Sequence, residues 1–158
     1  RFSLDDLRPI GRDTRGARGM SIKSSEHVVG MEIVHPGCEI LAVTERGYGK
    51  RTSADEYRLQ HRGGTGILAM RTSPKVGNVV AMLEVKPDDE LMLTSSKGTT
   101  IRIKISDVSL IGRVTQGVKV MNLSSDERLV AADIVVEKDD EQELSFEDDV
   151  PLPTEDLD

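Results

Sequence analysis

Basic residues recur along the chain at a nearly fixed step, and a recurring positive charge offers one kind of chemistry, the neutralisation of a polyanion. Arg12, Arg15 and Arg18 fall in one stretch, Lys50, Arg51, Arg58 and Arg62 in a second, and Lys97, Arg102, Lys104, Arg113 and Lys119 in a third. Each phosphate that such a side chain neutralises releases condensed counterion, so log affinity for a duplex falls with log salt by about 0.9 per contact. Aromatic residues make up 3% of the chain and Trp is absent, which excludes a stack of platforms for single-stranded bases. Phosphate contacts with little base readout are the expectation.

Other chemistry finds no support. Gly63-Gly64-Thr65-Gly66 invites a phosphate-loop reading, but no Lys-Ser or Lys-Thr pair follows it and no strand–loop–helix unit surrounds it. The three histidines, His27, His35 and His61, are scattered without ligand spacing, so neither a metal nor a cofactor is expected. Cys38 is the single cysteine and makes no internal disulfide; it reads as a residue packed near a strand end. Tyr48 and Tyr57 read as rim or packing residues, and no serine sits in a nucleophile elbow.

The elements that must carry these charges repeat about every 50 residues. Gly16, Gly66 and Gly117 are 50 and 51 apart, Val29, Val80 and Val130 are 51 and 50 apart, and Arg1, Arg51 and Arg102 are 50 and 51 apart. Within each unit, short runs rich in Val, Ile, Leu and Thr are broken by Gly, Asn, Asp and Pro, which predicts strands joined by turns. We read strands near 28–34, 40–44, 48–52, 67–71, 79–85, 91–95, 99–105, 118–123 and 129–136. In Ile101-Arg102-Ile103-Lys104-Ile105, strict alternation places three isoleucines on one face and two cations on the other. Arg46-Gly47 and Ser96-Lys97-Gly98 supply the matching hairpin turns.

The net charge of −7 averages two regions of opposite sign. Residues 137–158 hold eleven acids and one base, whereas residues 1–136 hold 17 acids and 20 bases. The tail has too little apolar surface to offset ordering and is expected to be disordered, either competing with phosphate for the basic side chains or only aiding solubility. No 18-residue apolar run and no signal-peptide pattern are present, so a cytoplasmic protein without a membrane partner is expected.

Three phrases carry a resemblance: Gly112-Arg113-x-Thr115-Gln116-Gly117-Val118; Gly11-Arg12-x-Thr14-Arg15-Gly16 with Arg18-Gly19; and Gly47-Tyr48-Gly49-Lys50-Arg51-Thr52. They resemble the C-terminal domain of DNA gyrase A and, less closely, its topoisomerase IV counterpart. The resemblance implies an all-β fold, a propeller-like beta-pinwheel of four-stranded blades whose basic rim wraps duplex DNA. About three blades of an incomplete ring are expected over residues 1–136, in repeats near 1–39, 40–90 and 91–136, followed by the acidic tail 137–158. Gln60-His61-Arg62-Gly63-Gly64-Thr65-Gly66 resembles the family's gyrase box, with His61 and Thr65 standing where the pattern has Arg and Lys. The resemblance places that box in the first blade, so the true box is expected upstream of Arg1. It also implies that the remainder of gyrase A and the whole of gyrase B are partners in a heterotetramer. ATP and Mg2+ would then act on other domains or chains of that assembly, and no residue of this chain would be catalytic. A propeller-like scaffold that recognises a peptide at a strand edge, or a topoisomerase IV C-terminal domain acting in substrate selection, is the alternative function.

Overall fold

A computed structural model describes residues 1–135; the acidic segment, with its expected disorder, lies outside the described residues. Seven strands are present: β1 (Glu39–Thr44), β2 (Tyr48–Ser53), β3 (Val79–Val85), β4 (Glu90–Ser95), β5 (Thr100–Lys104), β6 (Val118–Lys119) and β7 (Leu129–Ile134). The only helical pieces among the described residues are the 3-10 turns Leu4–Asp6, Ala54–Glu56 and Ile105–Asp107, which keep the repeat's step. Ser3 and Ser53 cap the first two, their hydroxyls accepting from the Asp5 and Asp55 amides. Every strand pairing is antiparallel, so the all-β propeller-like expectation holds.

One sheet has the order β3-β1-β2-β6 and the other β5-β4-β7. In the first, the hairpin β1–β2 is flanked by β3 from its own repeat, which pairs with β1, and by β6 from the following repeat, which pairs with β2. In the second, β7 pairs with β4 as β3 does with β1, and among the described residues β5 has no neighbour corresponding to β6. The first sheet is thus completed by one strand exchanged from the next repeat, whereas the described strands of the second come almost entirely from residues 91–136.

That exchange explains where the strand expectation fails. Residues 28–34 stand at the repeat position of β3, and 67–71 at the position of β6, yet neither segment is a strand. Their partners would be the hairpin one repeat earlier, and among the described residues no such hairpin exists. Met31 is accordingly 89% exposed. β6 stops at Lys119 because it reaches the hairpin tip: the Val120 and Met121 amides both donate to the Gly47 carbonyl, at 2.9 and 3.2 Å.

Strand β1 is buried on both faces. Leu41 and Val43 pack toward the second sheet in a cluster with Leu91, Leu93, Ile105, Val108 and Leu129. Ile40 faces the other way, against Cys38, Ala54 and Tyr57. Each fully buried aliphatic side chain contributes about 1.5–3 kcal/mol, so the inter-sheet cluster dominates cohesion. β3 and β7 approach one another across the two sheets, which places them on the converging side and β6 on the diverging, outward side.

Gly47 and Gly98 occupy equivalent turns, with φ of 77° and 82°. An added Cβ at Gly47 would stand 2.3 Å from the Met121 carbonyl oxygen, whereas at Gly98 it meets nothing within 4 Å, because among the described residues no strand pairs with β5 as β6 does with β2. Gly98→Ala is therefore expected to lose only the left-handed strain of about 1–2 kcal/mol. For Gly47→Ala the added overpacking raises the loss to roughly 2–5 kcal/mol. Urea denaturation of the two variants measures the difference; equal losses would contradict the strand-exchange account.

Candidate nucleic-acid interface

Three glycine turns form the outward edge. Gly16, Gly66 and Gly117 have φ of 73°, 78° and 78°, a left-handed conformation that glycine adopts without a Cβ clash. The first and third turns close alike, Thr14 Oγ1 donating to the Gly11 carbonyl at 2.9 Å and Thr115 Oγ1 to the Gly112 carbonyl at 2.8 Å. The second and third turns are each stitched to the segment one repeat earlier. The Gly63 amide donates to the Gly19 carbonyl and the Ser21 amide to the Gly64 carbonyl, both at 2.9 Å; the Arg71 amide donates to the Thr115 carbonyl, also at 2.9 Å. Arginine repeats the pattern: Arg62 Nη1 donates to the Arg18 carbonyl at 2.6 Å, and Arg113 Nη1 to the Leu68 carbonyl. Successive basic turns are thereby joined into one continuous ribbon.

The twelve basic residues singled out from the sequence divide into three groups by burial. Arg12, Arg15, Arg18, Arg58, Lys97, Arg102, Lys104 and Lys119 are exposed, and Arg62 and Arg113 are half-buried. Lys50 and Arg51 are interior, at 0% and 8% exposure, and leave the surface set. Lys50 Nζ donates to the Gly112 carbonyl at 3.0 Å and to that of Arg113. Arg51 Nε donates to the Val108 carbonyl at 2.7 Å, and its Nη1 pairs with Glu39 at 2.6 Å. Both therefore hold the next repeat against β2. Arg102 pairs with Glu90, and Lys104 shares a shallow pocket with Asp88, Asp89 and Glu90, so their surroundings are acidic. In the box-like turn Gln60–Gly66, the Gln60 amide donates to the Arg1 carbonyl at 3.0 Å, while His61, Gly64 and Thr65 are exposed.

Sequence reasoning missed Arg46, Lys75 and Arg128. The Arg46 amide donates to the Val76 carbonyl and its Nη1 to the Ser125 carbonyl, both at 3.3 Å. The Arg128 amide donates to Ser96 Oγ at 3.1 Å, and Lys97 pairs with Asp126 at 2.7 Å. These contacts bring Arg46, Lys97 and Arg128 together at the hairpin tips. Arg46 and Lys97 are 51 apart, a signal that was present; Lys75 has Asp126 at its repeat position and so no charge periodicity.

Among the described residues nothing else suggests bond-making chemistry. Burial pushes the Cys38 thiol above its ordinary range, with the Glu84 carboxylate adding to the shift, which disfavours a thiolate. His35 Nδ1 lies 2.8 Å from Glu84 Oε1, a hydrogen bond between an exposed ring and a half-buried carboxylate. Among the described residues no group of three or more His, Cys, Asp or Glu is placed to hold a metal ion, and no helix is long and apolar enough to cross a membrane.

A family model described as the DNA gyrase C-terminal domain, beta-propeller, matches residues 1–35, 39–86 and 89–135. The DNA gyrase A protein of Pseudomonas aeruginosa is 40% identical over 153 residues, which span 97% of this chain and 16% of that protein. Its counterpart in Staphylococcus aureus is 38% identical over 155 residues, spanning 94% of this chain and 18% of the relative. A solved structure of the DNA gyrase A C-terminal domain superposes with a TM-score of 0.79 at 31% identity, covering 85% of this chain and 46% of that one. The C-terminal domain of DNA topoisomerase IV shares the fold, with a TM-score of 0.78 at 20% identity over 85% of this chain and 42% of that one.

The buried Lys50 makes stability depend on pH. Desolvation pushes its ammonium down from 10.5 to about 8, against the attraction of Glu56 and with help from Arg113. Its folded pKa lies below its unfolded value, so the unfolded chain binds the extra proton between the two, and stability rises with pH from about 8 upward. Burial raises the pKa of Cys38 and Tyr57, which lowers stability at higher pH, so the Lys50 contribution is isolated by difference. Subtracting the urea stability of Lys50→Met from that of the parent should leave a term that is flat below pH 7 and climbs between pH 8 and 10. A difference that does not change with pH would remove Lys50 as the cause.

Proposed function

Because the chain belongs to the DNA gyrase C-terminal domain family, we propose that it binds duplex DNA along its outward edge without reading sequence, and bends it. The observation that supports the reading is the ribbon of basic glycine turns, the second and third each hydrogen-bonded to the segment one repeat before it. Arg12, Arg15 and Arg18 on the first turn, Arg58 and Arg62 near the second, and Arg113 and Lys119 on the third follow one curved path, with Lys97 at the neighbouring hairpin tip. A duplex that follows such a path gains one contact per phosphate reached. Bending 20–30 base pairs by 40–90° costs about 1–6 kcal/mol, which a few charge-assisted contacts offset. In a full-length protein, with the rest of gyrase A and gyrase B supplying strand passage and ATP hydrolysis, this wrap would favour negative supercoiling.

Titrating linear duplexes of unrelated sequence across a salt series tests the proposal. Binding should be equally tight for each sequence and fall linearly in log–log form. Replacing both Arg12 and Lys119 by Gln should lower the slope by up to about 1.8. The same change at Arg102 and Lys104, beside Glu90, should lower it less. No binding at low salt would abandon the duplex reading in favour of a protein-interaction scaffold.

A further inference from the structure

We propose that Tyr48 is a positioning residue that holds Lys75 and Lys119 together as one two-pronged phosphate grip. The inference rests on the duplex-binding reading and assigns to it a site outside the ribbon's arginines. Tyr48 opens β2, and its partner in the β2–β6 register is Lys119. Lys75 arrives from the tight turn closed by the Ser73–Gly77 bridge. The two ammonium groups stand 5.8 Å (Lys75) and 5.5 Å (Lys119) from the centroid of the Tyr48 ring. Three segments from two successive repeats thus converge on one half-buried aromatic ring, and both lysines are exposed.

Charge balance distinguishes this pair from the other cations. Arg51 is matched by Glu39, Arg102 by Glu90 and Lys97 by Asp126. Among the described residues no carboxylate forms an ion pair with Lys75 or Lys119. The ring's quadrupole attracts both ammonium groups and offsets part of their mutual repulsion, and an arriving phosphate neutralises the charge that remains. Pre-ordering flexible lysines also reduces the side-chain entropy lost on binding. Lys119 sits on β6, the outward strand, so the grip lies next to the ribbon of basic turns.

Duplex affinity and salt slope of the whole chain test the proposal. Tyr48→Leu should weaken low-salt binding roughly 3- to 10-fold and lower the slope. Tyr48→Phe, which keeps the ring, should restore both. Because Tyr48→Leu can disturb β2, the lysines provide a second arm: Lys75→Met, Lys119→Met and the double variant form a cycle on exposed side chains. One shared grip predicts that the double variant loses little more than either single variant. Additive losses, or a Tyr48→Leu chain that binds like the parent, would overturn the grip while leaving the duplex reading standing. A parent chain that fails to bind duplex at low salt would overturn both.

Discussion

The exchange of strands between successive repeats is the constraint on which the rest of the molecule depends. A two-stranded hairpin alone is marginal in water. Here β1–β2 becomes a four-stranded sheet because β3 pairs with it from the same repeat and β6 arrives from the following one. The same junction buries the inter-sheet cluster of Leu41, Val43, Leu91 and Leu93. Polar side chains of β2 complete it from within: Lys50, Arg51 and Thr52 all donate to backbone carbonyls between Val108 and Arg113. Without these donors the segment leading to β6 would leave buried carbonyls unsatisfied.

Burial therefore separates two populations of cations that look alike in sequence. Those at the junction of repeats have backbone carbonyls as partners and are lost to any external ligand. Those on the outward turns keep their heads in solvent, and several also donate to a neighbouring carbonyl, as Arg62 and Arg113 do. A guanidinium has five donors, so one bond to the backbone leaves capacity for a phosphate. The outward arginines can thus order the ribbon and face a polyanion at once.

How much of this was legible in the sequence follows from what periodicity measures. The repeat, the antiparallel strands, the hairpin turns at Gly47 and Gly98 and the family resemblance all rest on local patterns and are found in the structure. The column Arg1, Arg51 and Arg102 was legible as a repeat but not as a role. Arg51 is buried, Arg102 is exposed beside Glu90, and Arg1 donates to the Ala54 carbonyl at 3.0 Å. What recurs there is a position in β-structure, and its burial depends on whether a later repeat covers it. The segments 28–34 and 67–71 misled for a related reason: their composition suits strands, but a strand needs a partner, and partnership is not written in the segment itself. Lys75 was invisible because its site is built from three distant segments.

The interval between a hairpin and the strands that complete it matters during synthesis. β1–β2 ends at Ser53, but Val118 and Lys119 emerge about 65 positions later. At roughly 5–20 residues per second, the hairpin waits about 3–13 seconds with one edge unpaired. The side chains at that edge are Lys50, Arg51 and Thr52, all polar, and until the covering repeat arrives they face solvent. Lys and Arg on an exposed edge discourage pairing with other chains. The same residues therefore act twice: as charged guards while the hairpin waits, and as carbonyl anchors once the next repeat closes over them.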